Sequence, residues 1–127
     1  MNIVTPMNEL EYVDRMVAIA LEGKLSVYFA EDTRDFDRIK AMLEKHLDTI
    51  AERLPETHIY WANGRYVIDN SGRKGYVLIT NRTQELEGIH VTEVFAHYGV
   101  VDSVLNFLAS RERNDVVGGK YDRSLRW

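Results

Sequence analysis

The sequence predicts an α/β protein in which a small mixed sheet is flanked by about three helices. Two observations predict this fold class. Apolar residues recur at helical spacing, then follow one another in a short β-forming run, and then recur at helical spacing again, which is typical of a parallel βα unit. The middle of the chain contains Asn63-Gly64 between two β-rich segments, which is typical of an antiparallel hairpin. The predicted sheet therefore combines a parallel βα part with an antiparallel meander.

The first predicted element is a helix that begins after Thr5 and ends at Gly23. Thr5 suits the N-cap, and Pro6 suits the first helical position because its φ is already helical. Gly23 suits the end because glycine takes the left-handed conformation without steric cost. The apolar residues that fall on one face of this helix are Leu10, Val13, Met16, Val17, Ala20 and Leu21.

A buried strand and a long helix follow. The run 25–30 is apolar almost throughout, which favours a strand that is covered on both faces. After the polar turn 31–35, Asp32 or Thr33 suits the N-cap of a helix that Pro55 ends. The apolar stripe of this helix comprises Phe36, Ile39, Leu43, Leu47, Ile50 and Leu54.

The second half of the chain predicts a meander, one further strand and a last helix. The meander strands are expected at 58–62, 65–69 and 76–80, with polar turns between them. Segment 92–97 predicts another strand, and Asp102 suits the N-cap of a helix with apolar residues at helical spacing. We expect these elements to form one domain.

Length, charge and composition limit the functions to consider. The chain has 127 residues, which fits a single domain; we place this domain at residues 1–113 and a C-terminal tail at 114–127. The net charge of -4 argues against a domain that wraps nucleic acid. The absence of Cys excludes disulfides, thiolate zinc sites and cysteine nucleophiles. No apolar run is long enough to span a membrane, and the first residues lack a signal-peptide pattern, so we expect a cytoplasmic protein with no membrane partner.

Four short glycine-containing segments stand at the junctions of these elements. They are Leu21-Glu22-Gly23-Lys24, Asn63-Gly64, Ser71-Gly72 and Leu86-Glu87-Gly88-Ile89. With the order of elements, they make residues 8 to 110 resemble the central part of a RecA-like P-loop ATPase core, particularly the large terminase subunits of tailed phages and related helicases. The resemblance implies a phage or mobile-element protein that acts in the host cytoplasm.

The chain departs from this family at both halves of the nucleotide site. Residues 5–8 contain neither the glycines nor the lysine that a phosphate loop needs, and segment 94–98 lacks paired carboxylates for Mg²⁺. The resemblance therefore implies a degenerate or truncated relative without nucleotide chemistry, and we expect no cofactor. Loss of the phosphate-loop strand would leave a neighbouring strand at an open edge, which a second copy or another protein would have to cover.

The acidic turn after the first strand is the strongest candidate for a catalytic site. Asp32 and Asp35 would lie where a parallel strand ends, and His97 would reach the same rim if its strand runs alongside. Two carboxylates and a histidine are suited to binding a divalent metal or to acid–base catalysis. The alternative, which we favour, is that these acids cap a helix and complement its dipole.

Two further groups of residues are candidates for binding. Aromatic residues and cations on the meander would stack and neutralise single-stranded nucleic acid; the candidates are Trp61, Arg65, Arg73 and Lys74. Ordinary cross-strand packing is the favoured alternative for these residues. The tail offers basic and aromatic anchors for a protein partner, namely Lys120, Tyr121, Arg123, Arg126 and Trp127. The alternative for these residues is a solvated tail without a partner.

The leading expectation is a non-catalytic binding or assembly module that contacts a protein partner or a second copy through a sheet edge or through the tail. The first alternative is a small metal-dependent hydrolase or nuclease that uses the acidic turn and His97. The second is a weak binder of single-stranded nucleic acid, which the net negative charge disfavours.

Overall fold

A computed structural model of the chain describes residues 1–113 and has the α/β architecture that the sequence predicts. The elements in chain order are β1 (Asn2–Val4), α1 (Glu9–Leu21), β2 (Leu25–Phe29), α2 (Thr33–Arg53), β3 (Thr57–Ala62), β4 (Arg65–Asn70), β5 (Arg73–Thr80), a 3₁₀ turn (Thr83–Leu86), β6 (Glu93–His97) and α3 (Asp102–Arg111). None of the helices within the described residues is long and apolar enough to cross a bilayer. The predicted tail, with its five candidate anchors, lies outside the described residues.

The strands form one mixed sheet of six strands in the order β1-β6-β2-β5-β4-β3. The first four in this order run parallel to one another, whereas β4 and β3 continue the sheet in antiparallel fashion. The sheet thus joins a parallel part and a meander, as expected. Its outer strands are β1 on one side and β3 on the other.

Each face of the sheet carries its own apolar core. Helices α1 and α2 cover one face, where the buried residues include Val13, Met16, Val17, Ile39, Leu43, Leu47, Tyr28, Ile68, Ile79 and Phe95. The 3₁₀ turn and α3 contribute to the other face, where the buried residues include Val27, Phe29, Val67, Leu78, Leu86, Val94 and Leu108. Residues of β2 are buried on both faces, which confirms the continuous apolar pattern of that strand.

The helix α1 lies directly on β5 because Gly75 has no side chain. A Cβ atom at Gly75 would lie 1.8 Å from the carbonyl oxygen of Ala20, which is far inside van der Waals contact. Any other residue at position 75 would therefore push the backbone of α1 away from the sheet.

The prediction for the start of the chain was wrong in two respects. The first element is the strand β1, which pairs in parallel with β6 through the register Val4 to His97. The helix α1 begins at Glu9 rather than after Thr5, because residues 5–8 form a turn closed by the Asn8 amide and the Thr5 carbonyl at 3.1 Å. Strand β6 is consequently covered by β1. The expectation that a lost strand would leave its neighbour at an open edge therefore does not apply to β6.

The other predicted elements are present with small shifts of their ends. The helix α2 has Asp32 as its N-cap, and the Asn63-Gly64 turn joins β3 to β4. Both turn residues have positive φ, at 52° and 81°, which is the two-residue hairpin turn that this dipeptide favours. Strand β5 begins at Arg73, three residues before the predicted start, because its antiparallel pairing with β4 continues to Asn70.

Candidate functional site

The carboxyl ends of the parallel strands form a crevice at one end of the sheet. The chain leaves β2 toward α2 on one face, and it leaves the adjacent strand β6 toward α3 on the other face. Open α/β sheets commonly bind ligands where neighbouring connections separate in this way. The parallel pairing of β2 with β6 brings the acidic turn and His97 to the same rim, where Glu31 lies beside His97.

His97 stands between a carboxylate and a turn amide. Its Nδ1 accepts a hydrogen bond from the Gly99 amide at 2.9 Å and lies 3.3 Å from the Glu31 carboxylate. When the ring is neutral, its proton is on Nε2, which lies 4.0 Å from the Asp35 carboxylate. A second proton on Nδ1 would be placed to pair with Glu31 in place of the Gly99 amide. Glu31 and His97 thus face each other at the rim, with the exposed Tyr98 ring stacked on the imidazole at 4.4 Å between ring centroids.

Asp35 has a structural role at this rim. Its side chain is buried, and it accepts hydrogen bonds from the Tyr28 hydroxyl at 2.9 Å and the Glu31 amide at 3.1 Å. Arg38 neutralises it at 2.8 Å and also pairs with Glu9. Burial, together with the negative charge of Asp35, raises the pKa of the Tyr28 hydroxyl well above its usual value. Three hydrogen bonds from within the protein thus hold this buried carboxylate in place, which is a structural role.

Asp32 is the N-cap of α2, since its carboxylate accepts the Asp35 amide at 2.8 Å. Asp32 therefore has the helix-capping role that we favoured for the acidic turn. Asp35 is instead buried and bonded to Tyr28, Glu31 and Arg38. Within residues 1–113, no group of three or more His, Asp or Glu side chains is arranged to hold a metal ion. Glu31 and His97 are the acid and the imidazole that lie next to each other at the crevice. Glu31 belongs to the predicted turn but was not among the predicted catalytic residues.

Two clefts flank this rim. One has a volume of 420 Å³ and is lined by the ends of β2, β5 and β6, including Glu31, Arg82 and Gln84. The other has a volume of 280 Å³ and lies between the β1–α1 loop and His97. The Glu31 carboxylate lies close over Gly99, where a Cβ atom would be 2.6 Å from it, so a larger residue at position 99 would displace this side chain from its place beside the imidazole.

A second candidate site is the outer edge of β3, to which no strand within residues 1–113 is paired. A two-residue turn makes its flanking residues, Ala62 and Arg65, a hydrogen-bonded pair of the antiparallel ladder. Bonding alternates along an antiparallel strand, so Ile59 and Trp61 direct their amide and carbonyl groups away from β4. The Thr57 amide agrees with this alternation, because it points away from β4 and donates to the Leu54 carbonyl at 2.9 Å.

The side chains along this edge form an aromatic groove with charged residues of α2. Tyr60 is 47% exposed and Trp61 is 37% exposed. The groove has a volume of 230 Å³, and Glu44 and Asp48 of α2 line its wall. The Lys40 ammonium lies 4.6 Å from the centroid of the Trp61 ring and pairs with Glu44 at 2.7 Å. Hydrogen bonds from Lys40 and from the Tyr66 hydroxyl lower the pKa of Glu44, so its carboxylate is ionised at neutral pH and pairs with the Lys40 ammonium.

The predicted nucleic-acid surface is not formed. Trp61 lies opposite Tyr66 in the β3–β4 register and therefore shares its face of the sheet. Arg65 precedes Tyr66 and lies on the other face, where it is buried with its guanidinium 5.3 Å from the Tyr76 ring centroid. The exposed Arg73 and Lys74 lie at the start of β5, at the opposite end of β4 from the Asn63-Gly64 turn. Trp61 and the three predicted cations thus do not share one solvent-facing surface.

Comparison with known proteins finds no matching family model, no matching curated protein and no matching solved structure. The resemblance to a RecA-like core stays a prediction.

Proposed function

We propose that this protein is a non-catalytic binding and assembly module whose protein partner docks on the outer edge of β3. The observation that carries the proposal is the unprotected state of that edge. Ile59 and Trp61 present four outward backbone groups, and Tyr60 and Trp61 present large exposed side chains beside them. An edge strand with these properties is a template for a partner strand, which would gain main-chain hydrogen bonds and aromatic contacts together.

Natural sheets usually block such an edge with lysine, proline, a bulge or a very short strand. Strand β3 has six residues, contains neither lysine nor proline, and keeps an uninterrupted register with β4. The opposite edge differs, because β1 has only three residues and its Asn2 side chain donates to the Val94 carbonyl at 3.3 Å. The contrast between the edges supports β3 as the surface that has a binding role.

The proposal extends to the origin of the scaffold. The order of elements that resembles the RecA-like core, combined with a residue 5–8 turn that has no glycine and no lysine, supports a phage or mobile-element protein that has no nucleotide hydrolysis. A protein that retains this scaffold without its chemistry would act through its surfaces, and the outer edge of β3 is the surface that the proposal assigns.

A pair of variants at one position tests the proposed function. Ile59→Pro removes an outward amide and leaves the bonds between β3 and β4 in place, whereas Ile59→Ala shortens the same side chain and keeps the amide. Each tagged chain is used to capture proteins from an extract of its native cells. We expect a specific protein to be retained by the wild type and by Ile59→Ala and lost with Ile59→Pro. Equal capture by both variants, with both folded by circular dichroism, would contradict edge pairing.

A second candidate function is acid–base catalysis at the crevice, which the 3.3 Å approach of His97 to Glu31 favours. The test measures hydrolysis of p-nitrophenyl phosphate, bis-p-nitrophenyl phosphate and p-nitrophenyl acetate, each with and without Mg²⁺ and Mn²⁺. Activity that is lost in both Glu31→Gln and His97→Ala would support this candidate. Activity that persists in either variant would assign the reaction to another group or to a contaminant.

A further inference from the structure

We infer that the occupant of the β3 edge is a second copy of this chain, paired antiparallel about a twofold axis that passes beside Tyr60. The inference rests on the proposed function of the edge and names its partner and register. In this arrangement the two sheets join edge to edge, and the antiparallel meander continues from one copy into the other. The interface is isologous, because the same residues are contributed by both copies.

The backbone groups of the edge select this register. With the axis at Tyr60, Ile59 of each copy lies opposite Trp61 of the other, and all four outward groups of each chain find partners. An axis at Ile59 would require the Thr57 amide, which is already bonded to Leu54. An axis at Trp61 would require Asn63, which lies in the turn with φ of 52°. Of these twofold registers, only the one at Tyr60 pairs every available group without breaking an existing bond.

The side chains agree with the same register. Ile59 and Trp61 share the α2 face of the sheet, so each apolar side chain would pack against its cross-strand neighbour in the second copy. Tyr60 lies on the other face and would meet Tyr60 of the second copy at a pair without hydrogen bonds, where side chains approach most closely. The most exposed aromatic residues of β3 would thereby be removed from solvent together.

The charges on α2 are complementary under this symmetry. Lys40 lies beside Trp61, and Asp48, about two helical turns further along α2, lines the same groove as Ile59. Because the twofold axis places Trp61 of one copy opposite Ile59 of the other, it brings Lys40 of each copy to the level of Asp48 of the other. The same symmetry sets Glu44 of each copy opposite Glu44 of the other, although each of these carboxylates is paired with Lys40 of its own chain. Two pairs of opposite charge thus outnumber one pair of like charge, which favours a second copy of this chain over an occupant without that charge pattern.

Cysteine pairing tests both the partner and the register, since the chain has no Cys of its own. Tyr60→Cys places identical residues opposite each other, at a Cα separation of about 4.5 Å that a disulfide spans. Under mild oxidation we expect a disulfide-linked dimer of Tyr60→Cys. His58→Cys and Ala62→Cys should each stay largely unlinked when alone and should form a linked dimer when mixed, because positions 58 and 62 of different copies face each other.

Sedimentation of the wild type over a hundredfold concentration range supplies the independent measurement. We expect a reversible dimer that Ile59→Pro abolishes and Ile59→Ala only weakens. The inference is overturned if the wild type is monomeric throughout, or if Tyr60→Cys links no faster than His58→Cys alone. If the wild type is monomeric but captures another protein, and Ile59→Pro abolishes this capture, the second copy is refuted and the proposed function stands. If the wild type is monomeric and Ile59→Pro captures that protein equally well, both are refuted.

Discussion

Asp35 illustrates how a residue type that is suited to catalysis is used for structure instead. A carboxylate in a polar turn after a buried strand matches both a metal ligand and a helix N-terminal residue, and the sequence alone does not separate the two. The decisive contacts depend on how β2, α1 and α2 pack together, since Tyr28 lies in β2 and Arg38 is held in place partly by Glu9 of α1. The sequence could identify the turn, but not the partners that bury its acid.

Replacement of Asp35 by asparagine should therefore destabilise the fold. Asp35→Asn keeps the shape of the side chain but removes the charge that Arg38 neutralises, and we expect a loss of about 2–3 kcal/mol in the free energy of unfolding. Urea unfolding at neutral pH measures this loss. Asp32→Asn is the matched control and should be nearly neutral, because asparagine caps a helix as well as aspartate does. Equal stability of the two variants would show that Asp35 is not held as described.

Two tyrosines should make the fold sensitive to alkaline pH. Burial and the nearby carboxylates raise the pKa of Tyr28 and of Tyr66 above the usual value. The unfolded chain then releases these protons first as the pH rises, so stability is full below pH of about 10 and falls above it. We expect urea midpoints to fall less steeply with pH in Tyr28→Phe than in the wild type. An unchanged slope in Tyr28→Phe and in Tyr66→Phe would contradict the raised pKa values.

At the scale of the elements, sequence patterns predicted the helices and strands that carry a signal in their own residues. They missed strand β1, which forms because it pairs with another strand. Helix α2 and the β3–β4 hairpin carry local signals, namely a long apolar stripe and the Asn63-Gly64 turn. Strand β1 has three residues, which is too short for any period to be visible, and it is stabilised by pairing with β6, some ninety positions away in the chain. The start of α1 was misplaced for a local reason, since residues 5–8 form a turn in which the Thr5 amide donates to the Asn8 side chain at 2.7 Å.

The packing of α1 on β5 gives a prediction at this scale. Gly75→Ala would place a methyl group against the α1 backbone at Ala20, which cannot move as a flexible side chain would. We expect a loss of about 3 kcal/mol or a failure to fold. Gly88→Ala is the control, since its φ of 74° imposes strain although nothing lies within 4 Å of the new atom, and it should cost about 1 kcal/mol. Thermal unfolding of both variants provides the comparison, and a Gly75→Ala midpoint at or above that of Gly88→Ala would contradict the close contact.

At the scale of the whole molecule, the candidate interaction surface could not be read from the sequence, because being an edge is a property of the complete strand order. Trp61 was predicted on the meander, but its strand became an outer strand only once β3, β4 and β5 were placed beside β2. The register of β3 with β4 puts Trp61 and Arg65 on opposite faces of the sheet. The pairing of β2 with β6 brings together Glu31 and His97, which are far apart in the chain. Adjacent positions in the sequence were therefore poor guides to shared surfaces.

The charge pattern of α2 leads to a prediction about the whole assembly. Lys40→Glu would set an acid opposite Asp48 of the second copy, and Asp48→Lys would set a base opposite Lys40. Because a twofold axis doubles each change, we expect either variant to weaken dimerisation by about five- to tenfold at low salt, and less at 0.5 M salt. The double variant reverses both charges at once and should recover most of the lost affinity in sedimentation experiments. If it were as weak as the single variants, Lys40 and Asp48 would not face each other, and the twofold axis would have to lie elsewhere.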